Sequence, residues 1–233
     1  MEFVGAPVTE LRSLITSCFE EWANAGNREP GTGNRACALS GGNTALIFLG
    51  ALKAANVDWK RITMFWVDER AVAPDDPESN YGLVKRMLLT PLGNKAPRAI
   101  PMPTDRMPLG QAALWYDAAL ATELNNGALD LAILGIGEDG HVASLFPGHR
   151  ALIQDDLRAV AVEDAPKPPS RRLSLTMRYL LQTKKIWLIA PGPRKWPVLQ
   201  AAIDKISNNT PLDLLLRQAK DVTVFTDQTL HRR

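Results

Sequence analysis

Short apolar runs that end in polar, glycine-bearing loops constrain this chain more than any other feature. Ile62 to Val67, Leu129 to Leu134 and Ile186 to Ala190 are apolar runs of strand length, interrupted only by Thr63 in the first and Asp130 in the second. Such runs mark strands buried on both faces. Arg35 to Leu39, Leu157 to Val162 and Val222 to Phe225 read as further strands. Between them lie helices. Val8, Leu11, Leu14/Ile15, Cys18/Phe19 and Trp22 recur every three or four residues, which is one apolar helix face. Thr44 to Ala55, Asn80 to Leu89, Gln111 to Leu124, Trp196 to Ile203 and Pro211 to Gln218 are helical, the last with Thr210 as cap and Pro211 in its first turn. Asn24 to Asn34, Asp68 to Ser79 and Ala165-Pro166-Lys167-Pro168-Pro169 read as loops. This alternation predicts an α/β fold with a mostly parallel sheet flanked by helices. A single domain over residues 1–233 is expected, long enough to bury a core without disulfide or metal.

Several classes fall away. The formal net charge is +2 without clustered Lys or Arg, so no nucleic-acid partner is expected. No apolar segment approaches the roughly 20 residues of a membrane span. The N-terminal stretch lacks a basic segment followed by an apolar run, so no signal peptide is expected. The two cysteines, Cys18 and Cys37, read as packed, reduced thiols, which fits a cytoplasmic protein. No repeat stands out.

In open parallel sheets, ligands bind beyond the carboxyl ends of strands, at a topological switch point. The strand-end loops are therefore where chemistry is to be sought. Ser40-Gly41-Gly42-Asn43-Thr44 leads from a strand into a helix. Small residues there let backbone N–H groups approach an anion, although Ser or Asn capping a plain turn fits too. Asp68-Glu69-Arg70 follows a buried strand, and Arg70 offers a phosphate a guanidinium fork or else joins a surface ion pair. Gly135-Ile136-Gly137-Glu138-Asp139-Gly140 matches G-x-G-x-x-G, with Glu163 near the spacing of a ribose-binding acid. A dinucleotide site is rejected. Glu138 and Asp139 would oppose a pyrophosphate, and Phe146-Pro147-Gly148 leaves little room for the long packing helix.

His141 follows that loop directly. Of three histidines, His231 reads as solvated, and His141 stands at a strand end, poised for proton transfer. Asp139 is placed to fix its tautomer. A structural histidine held by backbone groups is the alternative. Asp139, His141 and His149 are too few and too oddly spaced for a metal site, so no metal is expected. Without a G-x-S-x-G elbow, a serine nucleophile has no support. Arg171 and Arg172 follow a rigid proline segment, either aimed into a cleft or solvated. Lys195, after Pro191-Gly192-Pro193, is a point charge for phosphate or a helix-start residue.

Taken together, L-S-G-G-N-T, F-W-V-D-E-R-A-V with D-D-P-E-S-N-Y, L-G-I-G-E-D-G-H-V-A-S-L-F-P-G, P-P-S-R-R-L-S-L-T and the Lys195 turn resemble the 6-phosphogluconolactonase family. The resemblance spans nearly the whole chain, and the G-x-G-x-D-G-H-x-A-S-L-F-P segment is its most specific part. It implies the Rossmann-like core shared with glucosamine-6-phosphate isomerases. It also implies hydrolysis of a small-molecule sugar-phosphate lactone, the second step of the oxidative pentose phosphate pathway, with no cofactor. His141 would be the general base. Asp68, Arg70, Asp139, Arg171 and Lys195 fall on family motif positions around the substrate. Ser40, Gly41, Gly42 and Asn43 would bind the phosphate with Arg70, Arg171 and Lys195. The glycine N–H groups of the Gly135 to Gly140 loop are candidate oxyanion donors.

Two departures stand out. The first loop reads S-G-G-N-T-A where S-G-G-S-T-P is more usual, though Asn43 still carries a donor. The lysine turn reads A-P-G-P-R-K-W-P where V-x-G-x-x-K is usual. Two other readings are separable. Glucosamine-6-phosphate isomerases follow the histidine loop with an F-N-E-P-type segment, but Ser144-Leu145-Phe146-Pro147 carries no carboxylate. A sugar-phosphate sensor would usually carry a DNA-binding module, and none is visible.

Overall fold

Parallel pairing of the apolar runs builds the centre of the molecule. The computed structural model describes residues 1–25, 34–206 and 209–228. Most of the loop expected at Asn24 to Asn34, and His231, lie outside them. The strands are β1 (Glu2–Gly5), β2 (Arg35–Leu39), β3 (Ile62–Trp66), β4 (Asp68–Arg70), β5 (Arg98–Ala99), β6 (Leu131–Gly135), β7 (Ala159–Val162), β8 (Arg172–Leu175), β9 (Lys185–Ile189) and β10 (Val222–Thr226). The helices are α1 (Val8–Asn24), α2 (Ala45–Ala54), α3 (Asn80–Val84), α4 (Thr90–Leu92), α5 (Leu109–Glu123), α6 (Met177–Gln182), α7 (Trp196–Ile203) and α8 (Pro211–Gln218). A π-helical turn, Lys85–Leu89, joins α3 to α4.

Seven strands form one sheet in the order β1-β10-β9-β6-β2-β3-β5. Every pairing in it is parallel. From β2 the chain steps outward to β3 and β5; from β6 it steps the other way, to β9 and β10. The switch point thus lies between β2 and β6. Their register pairs Leu39 with Ile133, and Ser40 N–H donates to Ile133 O at 2.9 Å. The loops after β2 and β6 therefore leave the sheet side by side.

The helices are held by apolar faces. Leu11, Ile15, Phe19 and Trp22 of α1 are buried, each contributing roughly 1.5–3 kcal/mol. Phe19 packs against Trp22, Trp59 and Trp187. Cys37 is buried within β2 and Cys18 is half-buried on α1. In α8 the Thr210 hydroxyl accepts from Asp213 N–H and the Asp213 carboxylate accepts from Thr210 N–H, a cap worth about 1 kcal/mol.

One expectation needs correction. Asp68 to Ser79 does not begin as a loop. Asp68–Arg70 is β4, the edge of a second, antiparallel sheet in the order β4-β8-β7. Val67 joins the two sheets: its N–H donates to Leu39 O at 3.0 Å, and its carbonyl accepts from Leu175 N–H at 2.7 Å. The small sheet thus adjoins the carboxyl ends of β2 and β3, and its Asp68 and Arg70 face the loops that leave β2 and β6.

Candidate active site

A cleft of roughly 390 Å³ opens at that switch point. Ser40, Gly41, Gly42 and Asn43 form one wall. Gly42 has φ +74°, a left-handed conformation that suits glycine. Gly41 is fixed by crowding, since a Cβ there would lie 1.8 Å from Asn80 Oδ1. Thr44 is the N-cap of α2, yet no side chain caps that helix. The N–H groups of Gly41, Gly42 and Asn43 have no protein acceptor among the described residues. The capping alternative for this loop is thereby removed. Lys195 reaches the same wall, its Nζ donating to the Thr44 hydroxyl. Burial lowers the Lys195 pKa, and Glu138 opposes that shift.

The opposite wall carries His141, whose Nδ1 lies 2.5 Å from Asp139 Oδ1. Its ring lies 4.6 Å from that of Phe146. Burial lowers the His141 pKa; Asp139 pulls it up and Lys167 pulls it down. Burial alone would raise the Asp139 carboxyl, but Lys167 and His141 together outweigh it and hold it at about 2. Gly137 makes the pair possible, because a Cβ there would sit 2.0 Å from His141 Nδ1. No helix follows this loop; isolated bridges join Val142 to Ile136 and to Leu145. The helix start that a dinucleotide pyrophosphate needs is missing here. Gly137 N–H donates to His141 O and Gly140 N–H to Gly137 O. Those two glycines, expected as oxyanion donors, spend their N–H groups inside the loop.

Asp68 and Arg70 of β4 also line the cleft. Asp68 Oδ2 accepts from Ser144 Oγ at 2.7 Å, and its Oδ1 faces Asn80 Nδ2 at 3.3 Å. Arg70 Nη1 donates to Glu78 O at 2.6 Å and lies 3.3 Å from Glu78 Oε2.

Arg171 is not brought in. It lies outside the cleft lining, and its Nε donates to Glu163 Oε2 at 2.8 Å, with both side chains exposed. Arg171 stands just before β8 and turns out to Glu163, whereas Arg172, the first residue of β8, turns inward and is 4% exposed. Sequence reasoning also passed over Lys167, Asn80 and Ser144. Lys167 lines the cleft and bonds Asp139 Oδ2 at 2.9 Å. Its one signal in the sequence is a lysine fenced by prolines.

A histidine wired to a carboxylate, facing a glycine loop and a lysine at the switch point of a parallel sheet, defines a class: α/β enzymes that work on small anionic molecules. Within that class, the chain belongs to the family of glucosamine-6-phosphate isomerases and 6-phosphogluconolactonase, whose model matches residues 10–225. It is 34% identical to the 6-phosphogluconolactonase of Mycobacterium tuberculosis over 181 residues, 73% of each chain. It is 33% identical to a probable 6-phosphogluconolactonase of Arabidopsis thaliana over 212 residues, 84% of this chain and 78% of that one. The fold matches the solved 6-phosphogluconolactonase of Trypanosoma cruzi with a TM-score of 0.82 at 22% identity, covering 97% and 94% of the two chains. A putative 6-phosphogluconolactonase of Neisseria gonorrhoeae matches with a TM-score of 0.77 at 26% identity, covering 97% and 99%. No helix among the described residues is long and apolar enough to cross a membrane.

Proposed function

We propose that this chain hydrolyses 6-phospho-D-glucono-1,5-lactone to 6-phospho-D-gluconate in the oxidative pentose phosphate pathway, with His141 as general base. The observation that carries this reading is the 2.5 Å pair between His141 Nδ1 and Asp139 Oδ1. An ionised carboxylate on Nδ1 holds the ring proton there and leaves Nε2 its lone pair. Nε2 takes a proton from water as the water oxygen adds to the lactone carbonyl. The ring C–O bond then breaks, and the imidazolium returns the proton to the departing hydroxyl. Asp139 stabilises the imidazolium between these steps. Because burial lowers the His141 pKa, the neutral base persists at neutral pH. Activity falls only as pH drops through a pKa below the ordinary value of about 6.5.

The open amides of Gly41, Gly42 and Asn43, with Lys195, hold the phosphate, and Ser40, Asp68 and Arg70 complete that wall. Binding energy from this remote, non-reacting group orients the lactone. Arg171 has no part in the clamp. The isomerase reading is disfavoured because Phe146 packs on His141 and Ser144 bonds Asp68, in the segment where an isomerase needs a carboxylate. On this reading the chain works as one domain, in the cytoplasm, without a cofactor.

The test is hydrolysis of freshly made 6-phosphogluconolactone at mildly acidic pH, where spontaneous opening is slow, with glucosamine-6-phosphate assayed in parallel. Acceleration with the lactone alone supports the reading. Turnover of the amino sugar alone overturns it in favour of isomerisation. Silence on both, with sugar-phosphate binding intact, favours a sensor.

A further inference from the structure

The mechanism above leaves Lys167 unused. Its Nζ lies 2.9 Å from Asp139 Oδ2 and 3.5 Å from His141 Nδ1. Asp139 thus divides its oxygens, Oδ1 to His141 and Oδ2 to Lys167. The loop carrying Lys167 is itself fastened. Arg172 donates Nη2 to Lys167 O at 3.0 Å and Pro168 O at 3.1 Å, and Nε to Pro169 O at 2.8 Å. Consecutive carbonyls are pinned by one planar guanidinium, whose fork is pre-organised for such contacts.

We propose that Lys167 is a positioning residue for the base: held in place by Arg172, it anchors Asp139 Oδ2 so that Oδ1 stays on His141 Nδ1, and it sets a cation beside the imidazole. The proposal rests on the lactonase reading only for what the base acts upon. A carboxylate anchored at one oxygen cannot rotate away from the ring, so the tautomer with Nε2 free is kept. Lys167 Nζ and Nδ1–H are both donors, so their 3.5 Å approach is one of charge and not a bond. An imidazolium formed there faces an ammonium, which disfavours it. The carboxylates facing His141 are Asp139 from its own loop and Asp68 from β4, and both favour the imidazolium; Lys167 and burial oppose them. Lys167 therefore trades some basicity for a base that stays unprotonated as pH falls. Removing it takes the cation from beside the ring while burial still opposes the carboxylates, and His141 takes its proton at higher pH.

Lys167 is 45% exposed, so its replacement leaves the core untouched. The experiment compares wild type, Lys167→Met and Lys167→Arg by NMR titration of the His141 imidazole, identified by its loss in His141→Ala. This reading needs no substrate. His141 is expected to titrate at higher pH in Lys167→Met and near the wild-type position in Lys167→Arg. The acidic limb of kcat/KM for the lactone should move the same way. An unmoved titration in Lys167→Met overturns the proposal, and a raised KM alongside it reassigns Lys167 to substrate binding. A titration that moves in a protein without lactonase activity sinks the lactonase reading and leaves the positioning role standing.

Discussion

The two walls of the cleft are built in opposite ways. On the β6 side the polar groups are paired: His141 with Asp139, Asp139 with Lys167, Gly137 N–H with His141 O. The start of α8 braces that loop, Leu212 N–H donating to Gly140 O at 3.0 Å. On the β2 side the amides of Gly41, Gly42 and Asn43 stand open among the described residues, and Lys195 Nζ donates to the Thr44 hydroxyl. The difference separates two tasks. A proton-transfer group must keep one geometry, so the protein satisfies its partners in advance. A ligand-binding wall must keep donors in reserve, because a donor already paired gains little from a ligand.

The comparison breaks most plainly at His141. His141→Ala should lower kcat by roughly 10²–10⁴-fold, the usual contribution of a positioned base, with KM close to wild type. A full-rate variant would place the base elsewhere. Gly137→Ala attacks the same wall through its backbone. Its methyl would lie 2.0 Å from His141 Nδ1 and 2.4 Å from Asp139 Oδ1, so the pair must shift. A misplacement of about 1 Å costs on the order of 10²-fold. Steady-state kinetics should show that loss in kcat, with the thermal midpoint checking that the fold persists.

On the open wall the split should invert. Lys195→Met removes a charge-assisted contact worth about 1.5–3 kcal/mol, so kcat/KM should fall roughly 10- to 100-fold, carried mainly by KM. A drop confined to kcat would mean that Lys195 acts on the reacting carbonyl, and the division of labour between the walls would fail.

What could be read from the sequence follows the same physics. β3, β6 and β9 were legible because strands buried on both faces are mostly apolar. β4 was not, because Asp68, Glu69 and Arg70 look solvated. Glu69 is in fact buried, its carboxylate accepting from the N–H groups of Arg70, Asn80 and Tyr81. Burial pushes its pKa up to about 7 against those three bonds. The partners of that carboxylate lie as far on as Tyr81 and the strand itself pairs with distant β8, so no local pattern records them. Likewise Ser40 to Asn43, His141 and Lys195 were legible as ends of legible strands. Lys167 was hidden because its meaning depends on Asp139, Arg172 and the loop between them.

The adjacent arginines sharpen the point. Nothing local distinguishes Arg171 from Arg172, yet one pairs with Glu163 in solvent and the other pins the loop of Lys167. Arg172 opens β8 and Arg171 stands just before it, and β8 itself was not foreseen. Arg171→Ala should therefore have the smallest effect. An exposed pair contributes at most about 1 kcal/mol, so the thermal midpoint should barely move and KM for the lactone should stay within about twofold. A KM raised tenfold would show that Arg171 leaves Glu163 to meet substrate, and the open wall would then extend to the start of β8.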